Sequence, residues 1–317
     1  MLDLAATAPH HSLGPESLRD IVRHYRLAAA DLARARVATA DPEILGPLNA
    51  LVGRGYRFVY GARRHDGASG VLGILRSFSR FLLREVPAAF RRSASTMVVA
   101  ALVFGAGALV GFVAVAIRPA NAEELIPDQF FTQSPRERVA EIERNPERIA
   151  NVADAARFGA ELYTHNIQVA LLTFTLASLT LVGGLWLLFW NGTILGAVAA
   201  SYLLDGVGVF FIAWVGPHGA LELPAIVFAG ATGLVAGRAF FFPGDRSRGA
   251  ALRAIFPTLW RLLSGVAMLL VVAGLIEGSF SQFSAKTVPY GLKIAVAAAL
   301  FVAMLALFFG RRVEGHE

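Results

Sequence analysis

His218 and Glu222 stand four residues apart in the stretch GPHGALELPAIVFAGATG, residues 216–233. At that spacing an imidazole and a carboxylate share one face of a helix. Three more segments carry side chains of similar chemistry: Glu277 in LIEGSF, His165-Asn166 in THNIQ, and Asp205 in LLDGVGVF. An imidazole, two carboxylates and a nearby free carbonyl can hold a proton, a water or a divalent cation. His218, Glu222 and Glu277 as ligands would suit zinc or manganese, and activation of a bound water would be the natural chemistry. The competing reading is structural, because buried polar side chains also tie membrane helices together by hydrogen bonds. The motif HxxxE lacks the second histidine of the helical HExxH zinc signature, and the chain contains no GxSxG, phosphate-binding loop or dinucleotide fingerprint. With no cysteine among 317 residues, disulfides, thiolate metal sites and thiol nucleophiles are excluded.

The elements that would position these side chains are apolar. Hydrophobic residues make up 56% of the chain and charged residues 16%, a balance expected of a polytopic membrane protein. Spans need about 20 apolar residues, and the hydropathy pattern predicts about six, at 96–117, 167–190, 194–215, 219–242, 258–283 and 288–309. An unpaired apolar run in lipid satisfies its backbone only as a helix, so the expected fold is all-α. The N-terminus shows no basic segment followed by an apolar core, so no cleaved signal peptide is expected.

Loop charge orients the spans. Residues 1–95 carry fourteen Arg against eight acids, and the loop 118–165 carries six Arg against nine acids. The loop 243–257 and the Arg311-Arg312 tail are basic again. An even number of spans then places both termini and every basic segment in the cytoplasm. Nucleic acid is not an expected partner, since the net charge of +6 reports topology in a membrane protein.

Residues 1–95 read as a separate cytoplasmic layer. Leu18, Ile21, Tyr25, Ala28 and Leu32 form one helical stripe, and Asp41-Pro42-Glu43 opens a second helix. In 71–93, bulky apolar residues alternate with Arg76, Arg80 and Arg84 and end in Arg91-Arg92, the pattern of a helix lying in the interface among membrane lipids. The expected order is this layer, a first span at 96–117, an extracytoplasmic loop at 118–165, a five-helix core over 166–310 and a cytoplasmic tail at 311–317. Within the loop, Asn145-Pro146-Glu147 starts an amphipathic helix predicted over 146–165, with Ile149, Val152, Ala156, Gly159 and Tyr163 as its stripe.

Under this topology His218 and Glu222 begin the fourth span at its outer end, with Pro217 at the start and Pro224 freeing a carbonyl near Ala220. Glu277 near the outer end of the fifth span and His165-Asn166 at the mouth of the second would reach the same depth. Arg238, Arg261 and Lys293 lie toward span ends, where they can snorkel. Asp205 falls near the middle of its predicted span beside Gly206 and Gly208, where the helix could break. Gly107-x-x-x-Gly111 and Gly233-x-x-x-Gly237 fit close helix contacts, within one chain or in a homo-oligomer.

The chain resembles the stage II sporulation protein M family over nearly its whole length. The resemblance runs through YRLAAADLARAR, LNALVGRGYRFVYGARR, FLLREVPAAFRRS, HNIQVALLTF, NGTILGAV and, most specifically, PHGALELPAIVFAGATG. LIEGSF is similar to the family's Glu-Gly-Phe-Ile-Thr-Pro segment, with Glu277 on its glutamate; the chain has His165-Asn166 where the family often has Asn-Asn. The resemblance implies an integral protein of the bacterial cytoplasmic membrane. In endospore formers the namesake recruits two peptidoglycan-degrading partners during engulfment, and relatives in non-sporulating bacteria are often encoded near MoxR-type ATPases. The expected role is a membrane scaffold in a cell-envelope assembly, with envelope or peptidoglycan-remodelling proteins as partners. A channel, transporter or metal-dependent intramembrane enzyme built on His218, Glu222 and Glu277 is the alternative.

Overall fold

The computed structural model describes residues 15–38, 41–61, 71–127, 133–144, 152–277, 280 and 287–310. The fold is all-α among these residues and divides into two compact units, Met1–Leu75 and Arg76–Glu317.

In the first unit, α1 (Pro15–Ala38) and α2 (Pro42–Gly61) form a hairpin. Ile21, Ala28 and Leu32 of the expected stripe are buried, and Tyr25 lies against Gly55, where an added Cβ would come within 2.8 Å of its ring. Asp41 Oδ1 accepts from the Glu43 N–H at 2.9 Å, capping α2 with Pro42 in the first turn.

The second unit begins within α3 (Val71–Arg80), passes through a π-helical turn at Phe81–Glu85 and continues as α4 (Val86–Arg92). Around the turn, Ile74, Phe78 and Leu83 are exposed beside exposed Arg76, Arg80 and Arg84, a surface suited to an interface. Further on, Val86, Pro87, Ala89 and Phe90 are buried, so α4 is a wedge of the core. The Phe90 ring packs on Phe228 at 5.0 Å and Phe308 at 4.4 Å. Arg261 binds Glu85 Oε2 through Nε at 3.1 Å and Nη2 at 2.9 Å, pinning the turn to the bundle instead of snorkelling.

The bundle comprises α5 (Ala94–Ile117), α8 (Val152–Thr180), α9 (Val182–Leu204), α10 (Gly208–Phe241), α11 (Arg248–Ile276) and α12 (Tyr290–Phe309). Five of the six are long and apolar enough to cross a membrane. The apolar part of α8 runs only from Ile167 to Thr180. Large apolar side chains such as Leu102, Ile117, Leu179, Leu275 and Val302 remain exposed around the outside, where lipid would cover them. Between α5 and α8 lie the short α6 (Asn121–Leu125) and α7 (Pro135–Arg144). The membrane face where α5 starts is called the basic face here, and the other the distal face.

The middle spans are placed differently from the hydropathy reading, which put a break at Asn191-Gly192-Thr193. The break lies at Leu181, whose φ of 53° ends α8. It is followed by Gly183 and Gly184, and a Cβ on Gly184 would come within 2.3 Å of the Ala177 Cβ. Asn191 and Thr193 stay helical because their side chains donate to the carbonyls of Leu187 at 2.8 Å and Phe189 at 3.0 Å inside α9. The next turn is Asp205-Gly206, with Gly206 at φ 76° and the Val207 N–H bonded to Tyr202 O at 2.9 Å, a glycine-closed helix end. Asp205 therefore sits in a turn on the distal side and not in mid-span. Helix α10 starts at Gly208, so Pro217 and Pro224 are both interior to it.

Glycines set the frame. A Cβ on Gly107 or Gly111 of α5 would lie 2.0 Å from Phe189 O or Thr193 O of α9. Reciprocally, a Cβ on Gly192 or Gly196 of α9 would lie 2.1 Å from Phe104 O or 1.9 Å from Ala108 O. Gly233 and Gly237 of α10 approach the carbonyls of Phe174 and Ala177 in α8 in the same way, at 2.4 and 2.6 Å. Such close backbone contact is what small-xxx-small pairs permit. Here both predicted pairs serve contacts inside one chain. Helix α10 touches all five other bundle helices, and 78% of its apolar window is buried.

Of the expected amphipathic helix over 146–165, residues 145–151, including its Asn145-Pro146-Glu147 start, lie outside the described residues. Helix α8 runs from Val152 onward. The distal helix that the hydropathy reading overlooked is α7. Ser134 and Glu137 form its capping box, with bonds of 3.1 and 3.3 Å between each backbone N–H and the other's side chain.

Candidate functional site

Four helices bring Asn166 (α8), His218 and Glu222 (α10), Glu277 (at the end of α11) and Lys293 (α12) together. Lys293 stands three residues inside the distal start of α12 and Glu277 just beyond the distal end of α11, while Asn166 and Glu222 each stand 14 residues inside the distal starts of the longer α8 and α10. Asn166 Nδ2 donates to Glu222 Oε2 at 2.7 Å. His218 Nε2 lies 4.0 Å from Glu277 Oε1, and His218 also feels the charge of Lys293. Glu222 and Glu277 are close enough to repel one another when both are charged.

The cluster is sealed: His218 is 5% exposed, Glu222 3%, Glu277 0% and Lys293 2%. Glu222 Oε1 and both Glu277 oxygens are buried and have no hydrogen-bond partner among the described residues. Buried polar atoms are normally paired, and a charged group in a dry site is costly without a partner. Two apolar cavities of the bundle run past the cluster without including any of its side chains.

The expected site is thus partly assembled. His218, Glu222, Glu277 and Asn166 meet. His165 is exposed one residue before Asn166, turned off the face that packs on α10. Asp205 belongs to the distal turn, where its Oδ2 accepts the Arg136 N–H of α7 at 3.2 Å. Among the described residues no group of three His, Cys, Asp or Glu side chains has the arrangement to hold a metal ion, so the zinc or manganese reading of His218, Glu222 and Glu277 finds no support in the geometry. Of the basic interface set, Arg76, Arg80, Arg84 and Arg92 are exposed and Arg91 is half-buried.

Lys293 is the member that the span-end argument missed. Its sequence signal is register: Lys293, Ala297, Met304 and Phe308 stand at i, i+4, i+11 and i+15, and all four are buried. A basic residue on that stripe cannot reach the interface by snorkelling. Arg238, off the buried face of α10, is exposed as expected.

Above the cluster, α7 is fastened to the distal ends of three helices. Asp205 caps it from the α9–α10 turn, the Arg138 guanidinium lies 4.8 Å above the Trp214 ring of α10, and Tyr290 Oη of α12 donates to Glu143 Oε1 at 2.5 Å. Tyr202, Phe210 and Tyr290 fill the space beneath as an aromatic layer, with centroids 6.2 and 5.9 Å apart in succession. Glu143 also acts on Lys293, which links α7 electrostatically to the buried cluster.

These features define a polytopic α-helical membrane protein with a sealed polar centre and a structured distal layer. The family model for stage II sporulation protein M matches residues 100–282, more than half of the chain. The chain belongs to the stage II sporulation protein M family. A second family model, a domain of unknown function, matches residues 2–61, within the first unit. No curated protein and no solved structure matches the chain.

Proposed function

We propose that this protein is a membrane scaffold of a bacterial cell-envelope assembly, with its basic face and both termini in the cytoplasm and α7 presented outside to envelope partners. The observation that carries the reading is the fastening of α7 to three helices by Asp205, Trp214 and Tyr290. A loop that merely joined two spans would need no capping box and no set of anchors to the bundle. The sealed centre fits the same role, since the Asn166–Glu222 hydrogen bond ties α8 to α10 and His218 of α10 faces Glu277 of α11 at 4.0 Å.

A second reading, an ion or proton pathway or an intramembrane enzyme centred on His218, Glu222 and Glu277, is favoured by the unpartnered carboxyl oxygens. The two separate in a deletion strain complemented by variants, with membrane levels checked by immunoblot. A scaffold keeps its cellular role with Glu222→Gln and Glu277→Gln and loses it when the exposed α7 surface is changed, as in Arg136→Glu/Arg144→Glu. Loss of function with the Gln variants at normal membrane level, with the α7 variant active, overturns the scaffold reading and establishes the other.

A further inference from the structure

Helices α5 and α12 both pack on α10 but leave between them an apolar groove of about 670 Å³ that opens sideways. Its walls include Ala101 and Phe104 of α5, Gly219 and Leu223 of α10, and Phe301 and Leu305 of α12. It runs along α10 from Val215 to Phe228, 13 residues, and ends toward the basic face at Ala94 and Phe309. At the helical rise that is about 20 Å, somewhat more than one leaflet of a hydrocarbon core about 30 Å thick.

Arg91 and Arg92 precede Ala94, the wall residue at the basic-face end, by three and two residues. Arg92 is exposed, and Arg91 Nη1 is buried with no hydrogen-bond partner among the described residues. A buried guanidinium nitrogen calls for an anion, and the guanidinium fork matches phosphate geometry. We propose that this groove is a binding site for an anionic diacyl phospholipid. The phosphate lies on Arg91 and Arg92, and one acyl chain lies between α5, α10 and α12. Leaflet-length apolar walls select a lipid over a soluble phosphate, and the paired arginines select a net-negative headgroup over a zwitterionic one.

The test uses the full-length protein reconstituted in nanodiscs of equal parts phosphatidylglycerol and phosphatidylcholine, with retained lipid counted by native mass spectrometry. The wild type retains one phosphatidylglycerol in preference to phosphatidylcholine, and Arg91→Gln/Arg92→Gln lowers that preference by about tenfold or more. Gly219→Leu keeps both arginines and fills the groove; an added Cβ there has only Val215 and Leu223 of its own helix as nearest neighbours. It abolishes retention without unfolding the bundle, while Arg76→Gln on the exposed surface leaves retention unchanged. Equal retention of the two lipids by the wild type, or undiminished phosphatidylglycerol in folded Gly219→Leu protein, overturns the proposal.

Discussion

The seam between α5 and α9 gives the sharpest test of the architecture. A Cβ on Gly196 would stand 1.9 Å from Ala108 O, whereas ordinary contact begins near 3.4 Å, so Gly196→Ala must drive the two helices about 1.5 Å apart. The neighbour is a backbone carbonyl and cannot rotate aside. Overpacking of this kind costs about 1–3 kcal/mol. For a unit of this size that corresponds to a loss of roughly 2–12 °C in Tm. Gly105→Ala, on the partner helix α5, is the matched control, because its Cβ would meet nothing within 4 Å. It should be neutral or stabilise by up to about 1 kcal/mol through helix propensity. Adding Gly111→Ala to Gly196→Ala should cost less than the sum of the single changes, since one separation of the helices relieves both clashes. Thermal unfolding in detergent micelles reads the wild type, the three single variants and the double variant. Gly196→Ala as stable as Gly105→Ala, or a double variant with fully additive loss, would refute the packing.

Three further outcomes follow from the site. Asn166→Leu removes the donor to Glu222 Oε2 and should cost about 1–3 kcal/mol, as expected when a buried acceptor is left unsatisfied. Much of that should return in Asn166→Leu/Glu222→Leu, measured by the same melts. Lys293→Met, at 2% exposure, removes a buried ammonium that Glu143 acts on and should lower stability by about 0.5–3 kcal/mol, whereas Arg238→Met at an exposed position should change it by less than about 0.5 kcal/mol. Asp205→Ala removes the side-chain acceptor at the start of α7, a loss of about 1 kcal/mol. Limited proteolysis of the distal layer should then run roughly fivefold faster, provided local opening is in rapid equilibrium.

Hydropathy made the helical class and the approximate number of spans legible, because lipid leaves the backbone no alternative. Span boundaries were harder to read. Asn-Gly-Thr at 191–193 has the composition of a turn, yet Asn191 and Thr193 bond back to carbonyls one turn earlier and remain in a helix. Gly192 and Gly196 form the seam with Gly107 and Gly111, so misplacing the turn also hid the seam. The true break at Leu181 stands two residues before Gly183-Gly184, a glycine pair that sits inside an unbroken apolar run and so reads as part of a span. Shifting the boundaries moved Asp205 from mid-span to a distal turn, where its role is to cap α7. For the polar centre, the i, i+4 pair His218 and Glu222 was readable directly, and Glu277 followed from its depth. Lys293 required the register of α12 to be weighed above its nearness to a span end.

The polar centre and the glycine contacts act on the same helix for different ends. Glycine contacts fasten α10 tightly to α8 but carry little information about register, since sliding one helix past another meets a similar small-residue surface. Pro217 and Pro224 further weaken the internal ladder of α10 by removing two N–H donors. A directional contact such as Asn166–Glu222 at 2.7 Å fixes the rise of α8 against α10, and His218 faces Glu277 of α11 at 4.0 Å. Displacing either helix by one turn, about 5.4 Å, would strand a buried carboxyl group with no partner at all. The cluster thus specifies a single arrangement of the bundle while adding little to its stability. That specification is what a scaffold requires, because α7 draws its anchors from α9, α10 and α12 and keeps its shape only if those helices keep their relative heights.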